Sequence, residues 1–212
     1  MRLQGSIREI LYPSRCLGCR VLNKGLCSKC LLQWKFSNIE STVEGVRVYS
    51  SLRYNSVASH ILLAAKEDGI READELLVAA LNNSLRNLLN AGISGSVLVP
   101  IPSAAHANRK RGRRFMHEIG VMVGEAESLP VWGLIEHQRK VADQTQLNPA
   151  QRERNVSGAM RIRGTSKWGR GIILLDDLVT TGATLSEAVK TMKAQGTPVA
   201  GAITAFLAHP IR

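Results

Sequence analysis

Apolar residues change their period several times along the chain. From Ser56 to Ala65 and from Arg71 to Leu89 they recur at helical spacing, with Leu77, Leu81, Leu85 and Leu88 in one stripe, which predicts two amphipathic scaffold helices. "SVLVPIP" (96–102) is a short, continuously apolar run closed by proline, as expected of a strand covered on both faces of a parallel sheet. Helical spacing returns at Phe115, Ile119, Met122 and Val123. "VWGLIEH" (131–137) reads as the next strand, "GIILLDD" (171–177) as a third, residues 184–195 as a helix and "PVAGAITAFLAH" (198–209) as the last strand. Strands alternating with helices predict an α/β fold with a mainly parallel sheet flanked by helices.

Residues 31–45 show little sustained period and end in a glycine before the strand-like "VRVYS", so they read as a connector. A division into an amino-terminal module, 1–45, and a main domain, 46–212, is expected. The segment from Glu136 to Arg163 is rich in Gln, Asn and Arg, and it reads as a long functional loop. With 212 residues the chain can bury one substantial core and carry a small appendage. No apolar run reaches the ~20 residues of a membrane span, and the start has no long apolar centre of a secretory signal. A cytoplasmic protein is expected. The net charge of +11 points to a polyanionic ligand or partner, although a basic surface without such a role has the same charge.

All four cysteines fall in "CLGCRVLNKGLCSKC": Cys16 and Cys19, seven residues, then Cys27 and Cys30. Two CxxC hooks can place four thiolates around one zinc ion, and four protein ligands leave no open coordination position, so the metal would be structural. A disulfide pair or a redox-active CxxC are the alternatives. Each fits less well, the first with a reducing compartment and the second with a duplicated motif.

"IILLDDLVTTGATLSEAVK" (172–190) carries the second chemistry. An apolar strand ends on Asp176 and Asp177, where ligands sit in open parallel sheets. The turn Thr180, Thr181, Gly182, Ala183, Thr184 offers backbone N–H groups and hydroxyls to a phosphate, and it opens a helix whose amino end favours negative charge. Thr184 to Glu187 fits a capping box. Two carboxylates would repel bare phosphate, so they need a sugar's vicinal hydroxyls, contacted directly or through magnesium. GxxxxGK[ST] and GxGxxG are both absent.

"IILLDDLVTTGAT" resembles the signature of the type I phosphoribosyltransferases for 5-phosphoribosyl-1-pyrophosphate (PRPP). Together with the paired CxxC hooks, "VPIP", "RKRGRRF" and "RKVADQTQLNPAQRERNVSGAM", it resembles the ComF/GntX family of phosphoribosyltransferase-like proteins over nearly the whole chain. The resemblance implies that Asp176 and Asp177 bind ribose hydroxyls with Mg2+, that Thr180 to Thr184 hold the 5-phosphate, and that Ser103 and Ala104 lie near pyrophosphate. It also implies an alternative, a non-catalytic competence role in uptake of single-stranded DNA beside a helicase-like partner. Where that family commonly shows RGFNQ this chain has Arg113-Arg114-Phe115-Met116-His117, and its lysine-aromatic-x-glycine is Lys66-Glu67-Asp68-Gly69 here, so no acceptor specificity carries over. Arg109, Lys110, Arg111, Arg113 and Arg114 have three readings: pyrophosphate neutralisation, a nucleic-acid backbone, or a solvated helix face. Arg152, Arg154 and Asn155 are candidates for a lid, and the five histidines show no metal-ligand spacing.

Overall fold

The computed structural model describes residues 14–142, 148–164 and 171–208. Part of the long polar segment (143–147) and His209 lie outside them. In chain order the elements are α1 (Ser28–Gln33), β1 (Ile39–Val43), β2 (Val46–Arg53), α2 (Ser56–Lys66), α3 (Arg71–Asn90), β3 (Val97–Pro100) and α4 (Ala105–Arg111). They continue with α5 (Phe115–Glu127), β4 (Ile135–His137), α6 (Pro149–Val156), β5 (Met160–Ile162), β6 (Ile172–Val179), α7 (Ala183–Ala194) and β7 (Val199–Leu207).

Five strands form one sheet in the order β1-β2-β7-β6-β3, parallel throughout except for the β1–β2 edge pair. The continuous apolar run of β6 follows from burial of both faces. Ile173 and Leu175 pack with α2, α3 and α5, whereas Ile172 and Leu174 pack with α7. The α3 stripe Leu77, Leu81, Leu85 and Leu88 is fully buried, each side chain contributing about 1.5–3 kcal/mol of apolar burial. Where α3 crosses the sheet the contact is polar. Ser84 Oγ lies 2.7 Å from Ser51 Oγ and donates to the Thr204 carbonyl at 2.8 Å, so each buried hydroxyl has a partner.

Four sequence expectations change. Residues 31–45 hold the end of α1 and the edge strand β1. The run 131–137 does not continue the sheet: Val131 makes one parallel bridge to Leu98, then Leu134 N–H closes a tight turn onto the Trp132 carbonyl at 2.9 Å. Beyond that turn, β4 pairs antiparallel with β5 in a separate hairpin. The polar segment between them is folded in its described part, with α6 capped reciprocally by Asn148 and Gln151, and with Val141, Val156 and Ala159 forming a small core. Finally, α7 starts at Ala183, because Gly182 turns the chain at φ 79° in the left-handed region. Thr184 is therefore inside the helix and not its cap, and Ser186 donates to Glu44 at 2.7 Å.

Candidate functional site

The cysteine hooks converge. The sulfurs of Cys16, Cys19, Cys27 and Cys30 all lie within 4.8 Å of one another, and Cys19 and Cys27 are 3.6 Å apart. A tetrahedral site with Zn–S of about 2.3 Å has sulfur edges of about 3.8 Å, so the cluster fits a metal of that size. A tight turn at 17–19 forms the first hook, and the start of α1 forms the second, with Cys27 at its cap and Cys30 in its first turn. Burial pushes the Cys16 thiol up, but the backbone N–H groups of Cys27, Cys19 and Gly18 outweigh it and bring the thiol down to about 6. Burial, reinforced by the neighbouring sulfurs, drives Cys30 strongly upward. Four thiolates this close repel one another, and a bound cation removes that conflict.

The module shares its packing with the main domain. Cys16, Cys30 and Trp34 belong to the same buried cluster as Leu81 and Phe206, and Trp34 meets Phe206 edge-on at 5.7 Å between ring centroids. Gly18 allows this approach, since a Cβ there would stand 2.7 Å from Cys30 Sγ and 2.9 Å from Val57 Cγ1. Its carbonyl meets the His60 ring on α2.

A cleft of about 340 Å3 opens at the carboxyl ends of β3 and β6. Asp176, Asp177, Thr180, Thr184, Ser103 and Ala104 all line it, brought together because β3 and β6 are parallel neighbours. Thr181, Gly182 and Ala183 line a second pocket of about 480 Å3, with Glu44, Glu153, Glu187 and Lys190. The phosphate-type turn is thus shared between two cavities.

Asp177 is buried, and its Oδ2 accepts from Lys66 Nζ at 2.6 Å. Asp176 Oδ1 accepts from the Asp177 backbone N–H at 2.9 Å. Burial, then the Asp177 charge, push Asp176 up to about 8 against the opposing pull of Lys66 and that N–H. Asp177 is thus already paired with a positive charge at the cleft wall.

Three contacts at the cleft have no local signal in the sequence. Lys66, at the end of α2, pairs with Asp177. Arg111 Nη2 pairs with Glu67 Oε1 at 2.6 Å, and His137 Nε2 lies 3.0 Å from the Pro102 carbonyl; all of these residues line the cleft. Arg152 lines it too, whereas Asn155 instead exchanges two hydrogen bonds with the backbone of Ala142. The basic run does not act as one face. Arg111 faces the cleft, Arg113 is held by Asp74 at 3.0 Å and Glu118 at 2.8 Å over the Phe115 ring, and Arg109 is exposed.

No known protein-family model matches the chain, and no curated protein matches it. Among solved structures it is similar to the allosteric regulatory enzyme of purine biosynthesis, at 14% identity and a TM-score of 0.37, over 88% of this chain and 31% of that one. The chain therefore spans about a third of that structure's length. It is also similar to adenine phosphoribosyltransferase from Leishmania donovani, at 12% identity and a TM-score of 0.40, over 84% of this chain and 78% of that one. The enzyme from Leishmania tarentolae gives 13% identity and a TM-score of 0.41, over 85% and 88%. No helix among the described residues is long and apolar enough to cross a membrane.

Proposed function

We propose that the cleft binds PRPP with Mg2+ and transfers its phosphoribosyl group to an acceptor, and that the four cysteines hold a structural Zn2+. One observation carries the first part: Asp176 and Asp177, the Ser103-Ala104 turn, and Thr180 with Thr184 all face one cleft. Its volume, about 340 Å3, is in the range of sites for small ligands. Its charge is mixed in the way such a ligand requires. The carboxylates suit the ribose diol, and Arg111 and Arg152 on the same walls suit phosphate groups. Magnesium held by Asp176 and Asp177 would neutralise charge on the sugar phosphate. Transfer breaks the bond from the ribose anomeric carbon to pyrophosphate and forms one to the acceptor, through a cation-like ribose. The chain's part is to hold the diol, to bind the departing pyrophosphate and to position the acceptor.

Calorimetric titration of PRPP with Mg2+ into the metal-loaded protein, beside Asp177→Asn, tests this reading. Wild-type binding weakened at least about 100-fold in the variant is expected, the loss typical of a charged, buried contact. No binding by folded wild type would overturn it.

A second reading is the competence role, in which the protein handles single-stranded DNA beside a helicase-like partner. The observation favouring it is the run 14–36, which carries Arg15, Arg20, Lys24, Lys29 and Lys35 and no Asp or Glu. Binding of an oligonucleotide that falls steeply with salt would support it, and no binding at low salt would remove it.

A further inference from the structure

We propose that Lys66 is a place-holding cation, seated on Asp177 while the cleft is without its metal and displaced when a divalent ion binds. The inference rests on the PRPP reading above and adds a residue that sets how much metal the site needs.

The ammonium of Lys66 is 2.6 Å from Asp177 Oδ2, and the two side chains are 22% and 9% exposed. Both residues line the cleft, so the pair stands on the wall where a ligand binds and not behind it. The surroundings explain why a cation is held there. Asp177 is buried, with Asp176 beside it in β6 and the Asp177 backbone N–H committed to Asp176 Oδ1, so little water reaches the Asp177 charge. The ammonium balances the Asp177 charge in the ligand-free protein.

The chain delivers that ammonium on a tether with freedom to move. Lys66 is the last residue of α2, its Nζ also lies 5.7 Å from the Phe115 ring centroid, and the next residue, Glu67, is fixed to Arg111. The backbone at the helix end is held while four rotatable side-chain bonds allow the head group to swing off the carboxylate toward the ring. A divalent ion on the same carboxylate oxygen excludes the ammonium by charge and by volume. Metal binding and lysine release are therefore one exchange, and wild-type affinity for metal is reduced by the cost of breaking the pair.

The test has two arms on the full-length, zinc-loaded protein. In the first, PRPP binding is followed by calorimetry at rising Mg2+ for wild type, Lys66→Met and Lys66→Arg. Lys66→Met is expected to reach half-maximal binding at about tenfold less Mg2+, whereas Lys66→Arg, which keeps a cation, stays near wild type or needs more. An unchanged midpoint in Lys66→Met overturns the proposal while leaving the PRPP reading intact. Failure of wild type to bind PRPP at any Mg2+ concentration overturns both. The second arm needs no variant: acylation of Lys66 in wild type, read by peptide mass spectrometry, is expected to speed up several-fold when Mg2+ alone is added. No change in that rate overturns the proposal, even if Lys66→Met does not fold.

Discussion

The cysteine cluster and the cleft are both built to hold charge, and they do it in opposite ways. The cluster gathers four identical ligands from fifteen consecutive residues, Cys16 to Cys30, and buries two of them in the main core. The cleft gathers unlike groups from α2, the turn after β3, α4, β4, α6 and β6, and its charges already satisfy one another in the pairs Lys66–Asp177 and Arg111–Glu67. A closed set of like ligands suits a permanent ion. Exchangeable pairs at a cleft wall suit an occupant that comes and goes, because each pair can be traded for a ligand contact with little change in buried charge.

Removing whatever metal the cysteines hold should give the largest effect. Chelation, or Cys30→Ser, is expected to lower the thermal midpoint of the whole chain and not of the module alone, since structural zinc sites contribute apparent energies of about 10–16 kcal/mol in isolated fingers. An unchanged melting curve after exhaustive chelation would erase the contrast between the two sites. A smaller effect separates the members of the basic run. Arg113→Ala strands Asp74 in a buried position and should cost about 2–4 kcal/mol in denaturant unfolding, whereas Arg109→Ala should stay within about 0.5 kcal/mol. Equal effects would mean that the run works as one surface.

The last effect is a dependence on pH. Burial and the neighbouring Asp177 push Asp176 up to about 8 in the fold, against the ordinary carboxylate value of 3.8 in the unfolded chain. Between those values the folded state binds more protons, so this residue's contribution to stability is greatest in acid and declines as pH rises. Asp176→Asn should therefore raise the melting temperature at pH 8 and leave it nearly unchanged at pH 4. A rise of the same size at both would show that the charge of Asp176 is not what the fold resists.

What could be read from the sequence follows the range of the signal. The α3 stripe, the buried runs of β3 and β6 and the two CxxC hooks are written in neighbouring residues, and each appears where its spacing puts it. Asp176 and Asp177 are expected at the strand end, but β6 runs on through Val179 because it stays paired with β7 there; only the pairing with β3 stops before them, at Leu175. The start of α7 was misplaced because a capping-box pattern at Thr184 competed with a left-handed Gly182, and the glycine prevails by reversing the chain two residues earlier. The cap of α6 is legible in Asn148-Pro149-Ala150-Gln151, an N-cap residue with proline and glutamine at the favoured positions, although the segment around it is too polar to show a helical period. The pairs Lys66–Asp177 and Arg111–Glu67 had no local signal, since their partners are separated by 111 and 44 residues and meet only when the sheet forms.

The contact of Gly18 with Cys30 and Val57, and of Trp34 with Phe206, has a practical meaning for anyone wishing to move this module elsewhere. A finger with a core of its own can be cut out and spliced onto another protein. This one shares its interior with α2 and β7, so a transplant would have to carry Val57, His60 and Phe206 along with the cysteines, and a deletion would leave a greasy scar on the sheet it abandoned.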